Sequence, residues 1–191
     1  GLDEKFTLLY VGRVSLDKSL GFLARVYREL VDSGEEVNLV IAGDGPMLEE
    51  LQRTLQDYPR VRFTGRVDEK VLPLLYSLAD LFVFPSTMDT FGMAVLEAQA
   101  CGLPALVTSV GGPQEVILPG ETGFVLPADR AEAWREAVLS FRAMSSADPA
   151  RLQKMKALAR QRVKELFSWD EALGDIFQDR KADGVPAVPG L

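Results

Sequence analysis

The sequence predicts an α/β domain on a parallel, doubly wound sheet of about six strands. Three observations carry this. Six short apolar runs each end at glycine, proline or a polar turn. Amphipathic or capped stretches of helical spacing lie between them. At 191 residues, 47% hydrophobic and 26% charged, the chain buries a full core as one domain. Strands alternating with helices demand crossovers, and crossovers cover both faces of a parallel sheet.

In order, Phe6 to Val11 is rich in strand formers and stops at Gly12. Leu20 to Asp32 is helical, with Leu20, Leu23, Tyr27, Leu30 and Val31 spaced along one face, and Ser33-Gly34 ends it. Val37 to Ala42 is the second strand, leading into Gly43-Asp44-Gly45-Pro46, with a helix from Met47 to Gln56 behind it. Val61 to Thr64 ends at Gly65. Asp68 to Leu78 is helical, Pro73 being tolerated near the first turn. Leu81 to Phe84, a polar turn from Ser86 to Thr90, a helix from Phe91 to Ala100 and a strand from Ala105 to Thr108 form one βαβ unit. The flexible Gly111-Gly112-Pro113 follows. A short helix starts at Gly112-Pro113-Gln114-Glu115, and Gly123 to Leu126 is the last strand. Ala131 to Phe141 is helical. Asp148-Pro149 caps a longer amphipathic helix, Ala150 to Phe167, and Asp170 to Asp179 is a last helical piece. The domain thus runs over residues 1–180, and 181–191 reads as a disordered tail rich in Gly, Pro and Ala. The pattern is Rossmann-like.

Composition narrows the chemistry. A net charge of −7 without basic blocks argues against nucleic acid. No apolar run spans a membrane and no signal peptide opens the chain. The start, Gly1-Leu2-Asp3, lacks an initiator Met, the mark of a piece cut from a longer protein. Histidine is absent, which removes imidazole chemistry. The lone Cys101 excludes an internal disulfide, suits a reducing compartment and reads as a packed thiol.

In a doubly wound sheet, ligands bind at the carboxyl ends of the strands, so the loops there matter most. Asp89 and Glu97 lie eight positions apart in the βαβ unit. Free N–H groups of Phe91 to Ala94 at the helix start favour an anion, and Gly92 allows close approach. Carboxylates beside a phosphate must then face a neutral hydrogen-bond donor, such as a sugar hydroxyl. Equally open on this stretch alone, Asp89 caps the helix and Glu97 is merely solvated. In the first loop, Arg13 and Lys18 could clamp a diphosphate. The plainer alternative is a pair of surface charges near Asp17. Gly43-Asp44-Gly45 lacks the third glycine of a dinucleotide fingerprint, which disfavours a nicotinamide-dependent dehydrogenase. There is no Walker-type lysine and no Cys/His cluster for zinc.

Taken together, these motifs resemble a known family. They are Gly12-Arg13 with Lys18, Gly43-Asp44-Gly45-Pro46, Phe63-Thr64-Gly65-Arg66-Val67, Pro85-Ser86 with Asp89-Thr90-Phe91-Gly92 and Glu97-Ala98, Ala100-Cys101-Gly102-Leu103-Pro104, Gly111-Gly112-Pro113-Gln114-Glu115 and Gly120…Gly123. In this order they resemble the carboxyl-terminal, donor-binding domain of retaining GT-B glycosyltransferases, a group that includes sucrose synthase and bacterial mannosyl- and glucosyltransferases. The resemblance runs from about Phe6 to about Phe177, including Phe167-Ser168-Trp169.

The resemblance implies roles. Arg13 and Lys18 match the basic pair on the donor diphosphate, which stabilises the departing nucleotide without a protein nucleophile. Asp89 matches the acid that holds donor-sugar hydroxyls, and Glu97 the acid that holds the ribose. Gly12 belongs to the same donor-binding set. Thr90, Phe91, Gly92, Met93 and Ala94 border sugar and phosphate, and Arg66 and Val67 border the base. One position departs from the pattern. The first acid is usually Glu, and Asp89 is shorter by about 1.5 Å, one carbon–carbon bond.

The resemblance also implies a nucleotide-diphosphate sugar of UDP or GDP as substrate, no metal and no other cofactor. It implies an acceptor-binding amino-terminal domain ahead of Gly1, towards which the last helices reach, leaving Phe167, Trp169 and Phe177 partly uncovered. The chain alone is then expected to bind donor with little or no transfer. The expected location is cytoplasmic, or peripheral at the inner face of the membrane as the missing half decides. A fold that kept the pocket and lost turnover, a nucleotide-binding interaction module, is the alternative.

Overall fold

A computed structural model describes residues 4–166. Six strands form one all-parallel sheet: β1 (Phe6–Val11), β2 (Val37–Ala42), β3 (Val61–Gly65), β4 (Leu81–Phe84), β5 (Ala105–Thr108) and β6 (Gly123–Leu126). Their order across the sheet is β3-β2-β1-β4-β5-β6. The register pairs Phe6 with Val37 and Leu8 with Leu81. β2, β4 and β5 are buried at every residue, as continuous apolar runs must be when helices cover both faces. Edge strand β3 instead alternates between sheltered and exposed positions.

The helices are α1 (Leu20–Asp32), α2 (Leu48–Thr54), α3 (Leu72–Leu78), α4 (Met93–Ala100), α5 (Pro113–Val116), α6 (Ala131–Ala147) and α7 (Pro149–Leu166). α1 buries Leu20, Leu23, Tyr27 and Leu30 as expected, along with Ala24 and Val26, while Val31 is half-buried. Phe22 of α1 meets the ring of Trp134 of α6 edge-on, 5.6 Å between centroids. Trp134 is fully buried and its indole N–H donates to Pro127 O at 2.8 Å. α7 starts where the Asp148-Pro149 signal placed it, the Asp148 carboxylate accepting from Arg151 N–H at 2.9 Å.

Helix ends depart from expectation at several places. α3 begins at Leu72, not Asp68, because Asp68 accepts from Lys70 N–H in a preceding turn. α2 is shorter at both ends than Met47 to Gln56, and α6 runs past Phe141 to Ala147, where no breaker intervenes. α4 begins at Met93, because Gly92 before it is left-handed, with φ 84°. A 3-10 turn over Leu16–Lys18 had no signal in the sequence. The expected helix from Asp170 to Asp179, the tail 181–191, and Phe167, Trp169 and Phe177 lie outside the described residues.

β1 and β4 are neighbours at the point where strand order reverses. The loop after β1 leads to α1 and the loop after β4 to α4. A crevice between such loops is the ligand position of a doubly wound sheet.

Candidate functional site

The loop after β1 is held rigidly. Gly12 N–H donates to Ala42 O at 2.9 Å, and the Tyr10 hydroxyl donates to Arg13 O at 2.9 Å. Gly43 is required by proximity, since a Cβ there would collide with the carbonyl oxygen of Gly12. The 3-10 turn then presents Lys18, and Ser19, left-handed at φ 55°, turns the chain into α1. The Ser86 hydroxyl donates to Asp17 O at 3.3 Å, tying this loop to the one after β4.

Across the reversal point, the Lys18 ammonium straddles the Asp89 carboxylate. Its Nζ donates to Oδ1 at 2.8 Å and to Oδ2 at 2.9 Å, with Asp17 Oδ2 further off at 3.4 Å. Both side chains are largely sheltered. Burial alone would pull the Lys18 ammonium below its ordinary value, but the hydrogen bond and charge of Asp89 outweigh it and hold it above. Asp89 therefore does not cap α4, which has no side-chain cap. Of the plain alternatives, capping fails for Asp89, while Arg13 and Glu97 are exposed as those alternatives have it, and Lys18 pairs with Asp17 as well as with Asp89.

At the start of α4, the N–H groups of Met93 and Ala94 have no acceptor among the described residues, as expected of a first helical turn. Glu97 stands one turn further along α4 and is exposed; its Oε2 accepts the Tyr76 hydroxyl at 2.8 Å. Thr90 and Met93 are exposed, Phe91 is half-buried and Gly92 is buried against Pro113. The loop after β5 is packed against the one after β4: Gly112 N–H donates to Asp89 O at 2.9 Å. A Cβ on Gly112 would strike Thr90 O, so the Gly111-Gly112 pair serves close approach here more than flexibility.

The predicted residues fall into two neighbouring groups. Gly12, Arg13, Arg66 and Val67, with Gly43 and Asp44, line a cavity of about 530 Å³ over the ends of β1, β2 and β3. Lys18, Asp89 and the start of α4 occupy the crevice between β1 and β4. Arg13 is exposed and has no carboxylate partner among the described residues, so it does not share Lys18's ion pair. A larger cavity, about 740 Å³, opens at the opposite end of the sheet between Phe6, Thr7, Leu75, Leu78, Asp80 and Arg142. It holds none of these residues. Ligand chemistry belongs to the carboxyl ends of the strands, so size does not decide the site.

Among the described residues, no three His, Cys, Asp or Glu side chains converge as a metal-binding set. No described helix is long and apolar enough to cross a membrane. The Cys101 thiol is half-buried and raised above its ordinary pKa by burial and then by Glu97, which fits a packed thiol. Tyr76 was missed by sequence reasoning. It lies inside a helix that carries no site motif, and its contact with Glu97 distinguishes it.

The family model described as "Glycosyl transferases group 1" matches residues 2–162. The chain belongs to this family. Among its relatives is the D-inositol 3-phosphate glycosyltransferase of Rhodococcus opacus, 32% identical over 190 residues, covering 93% of this chain and 41% of that protein. Another is the GDP-mannose-dependent alpha-(1-6)-phosphatidylinositol dimannoside mannosyltransferase of Mycobacterium tuberculosis, 31% identical over 170 residues, 88% of this chain and 42% of that protein. Of solved structures, the sucrose-phosphate synthase of Thermosynechococcus elongatus superposes with a TM-score of 0.78 at 29% identity, over 95% of this chain and 47% of the other. The chain spans less than half the length of each. The Rossmann-like fold and the GT-B kinship are those expected from the sequence motifs.

Proposed function

We propose that this chain is the donor-binding half of a retaining glycosyltransferase. The enzyme would move a hexose from a nucleotide-diphosphate sugar, of UDP or GDP, to an acceptor held by an amino-terminal domain. The observation that supports this most is the Lys18–Asp89 contact across the strand-order reversal. In this reading the cation partners the donor diphosphate and the acid partners the donor sugar.

In this reading, a bound donor re-partners the pair. Lys18 turns to the diphosphate, joined by Arg13 from the adjoining cavity and by the free N–H groups of Met93 and Ala94. Asp89 is released to accept from sugar hydroxyls. Glu97 takes the ribose hydroxyls, and Gly12, Arg66 and Val67 border the base. Thr90, Phe91 and Gly92 form the backbone wall between sugar and phosphate. As the glycosidic bond to the diphosphate breaks, negative charge grows on the leaving oxygens. Fixed cations and amide dipoles stabilise that charge without reorganising at the moment of reaction. No protein nucleophile and no metal take part, and Arg13 and Lys18 supply the positive charge a metal would bring.

Asp89 reaches about 1.5 Å less than a glutamate, and its loop is joined to the next by the Gly112 N–H donating to Asp89 O; in this reading the shorter acid bears on the choice of donor sugar. The test is product stereochemistry. The protein carrying this chain with its acceptor-binding half should transfer sugar with the anomeric configuration of the donor kept, in the presence of EDTA. Inverted product, or transfer only with added metal, would overturn the mechanism.

A further inference from the structure

We propose that Tyr76 is a positioning residue that orients the Glu97 carboxylate for the ribose cis-diol of the donor. The proposal rests on the donor reading above, which gives Glu97 its ligand.

Tyr76 belongs to α3, on the far side of β4 in sequence from Glu97, and is 2% exposed. Its ring lies edge-on to Phe82 of β4, centroids 5.7 Å apart at 65°. Packed in this way, the phenol has little freedom, and its hydroxyl points out of the core at Glu97 Oε2, 2.8 Å away. Glu97 is the opposite case: exposed on α4, with a long side chain and no cationic partner among the described residues.

A glutamate left to itself samples many rotamers, and ordering it on binding costs affinity. One rigid donor on Oε2 selects the rotamer in advance. It leaves Oε1 and a second lone pair of Oε2 to receive two hydroxyl protons, the demand of a cis-diol. A neutral donor also preserves the carboxylate's role as acceptor, where an arginine would compete for both oxygens. Burial, with Glu97 adding to it, raises the phenol's pKa above the ordinary tyrosine value, so it remains a donor across the physiological range.

The experiment compares UDP and GDP with their 2′,3′-dideoxy forms, by calorimetric titration of the wild-type chain and of Tyr76→Phe. The wild type should prefer the ribose forms. Tyr76→Phe should weaken the ribose forms roughly three- to tenfold, the worth of one typical hydrogen bond, and leave the deoxy forms nearly unchanged. In a Glu97→Ala background, which removes the acceptor, Tyr76→Phe should alter the preference no further.

Equal weakening of ribose and deoxy forms would reduce Tyr76 to a packing role and overturn the proposal. An unchanged preference would overturn it as well. A wild type that binds nucleotide without preferring ribose would remove Glu97's assignment. Absence of nucleotide binding altogether would instead strike the donor reading itself.

Discussion

Lys18 and Asp89 are 71 positions apart in sequence, yet the ammonium of one lies within 2.9 Å of both carboxylate oxygens of the other. The contact bridges the two halves of the sheet at the point where their order reverses. Both residues are sheltered, so the pair contributes to stability as well as filling the site. Lys18→Met should destabilise the chain by about 1–3 kcal/mol, leaving Asp89 and Asp17 without their shared cation. Asp89→Asn should cost a similar amount. In the double variant the losses should fall short of their sum by about 0.5–3 kcal/mol, as expected of groups in contact. Urea denaturation of the four proteins measures this, and simple additivity would mean the contact is not formed in solution.

Gly112 holds ordinary backbone angles, with φ −74°, so its need for a bare Cα is steric. Gly112→Ala should push Thr90 and Asp89 away and destabilise by about 1–3 kcal/mol, the range for overpacking. Thermal denaturation would register the loss. A neutral substitution would show that the loops after β4 and β5 are not in contact.

Alkali should unfold this protein through its tyrosines. Burial raises the hydroxyl of Tyr27 to about 12, and it raises those of Tyr10 and Tyr76 as well, with nearby carboxylates adding to the shift. Above about pH 10 the unfolded chain releases these protons while the folded chain keeps them. The unfolded state then binds fewer protons, so stability falls as pH rises. Lys18, also raised, acts in the same direction: its pair is intact below about pH 10 and is lost as pH climbs through the folded value. Each group contributes about 1.4 kcal/mol per pH unit inside its window. Urea midpoints at pH 8, 9, 10 and 11 should be level at first and then drop, and Tyr27→Phe should flatten the drop.

The strands were legible almost to the residue. Central parallel strands such as Val37–Ala42 and Ala105–Thr108 are unbroken runs of buried residues, and Gly43 and Pro104 mark their limits. Helix ends were less so, because they depend on local hydrogen bonds. Asp68 could have opened a helix, and its bond to Lys70 N–H makes a turn instead. Family motifs named the candidate site residues, but spacing could not show which of them stand together. Nothing near Lys18 in sequence announces Asp89 as its partner. Nor does Tyr76, one more apolar ring on a short helix, announce that its hydroxyl leaves the core for Glu97.

Calorimetric titration of the chain with UDP and with GDP, each in EDTA, goes most directly to the assignment of a donor site. One of the two should bind with a dissociation constant between micromolar and millimolar, roughly −8 to −4 kcal/mol, unaffected by EDTA. Arg13→Ala should abolish most of that affinity. Binding that needs a divalent metal, or that is indifferent to Arg13, would contradict the assignment of the diphosphate to this chain's own cations.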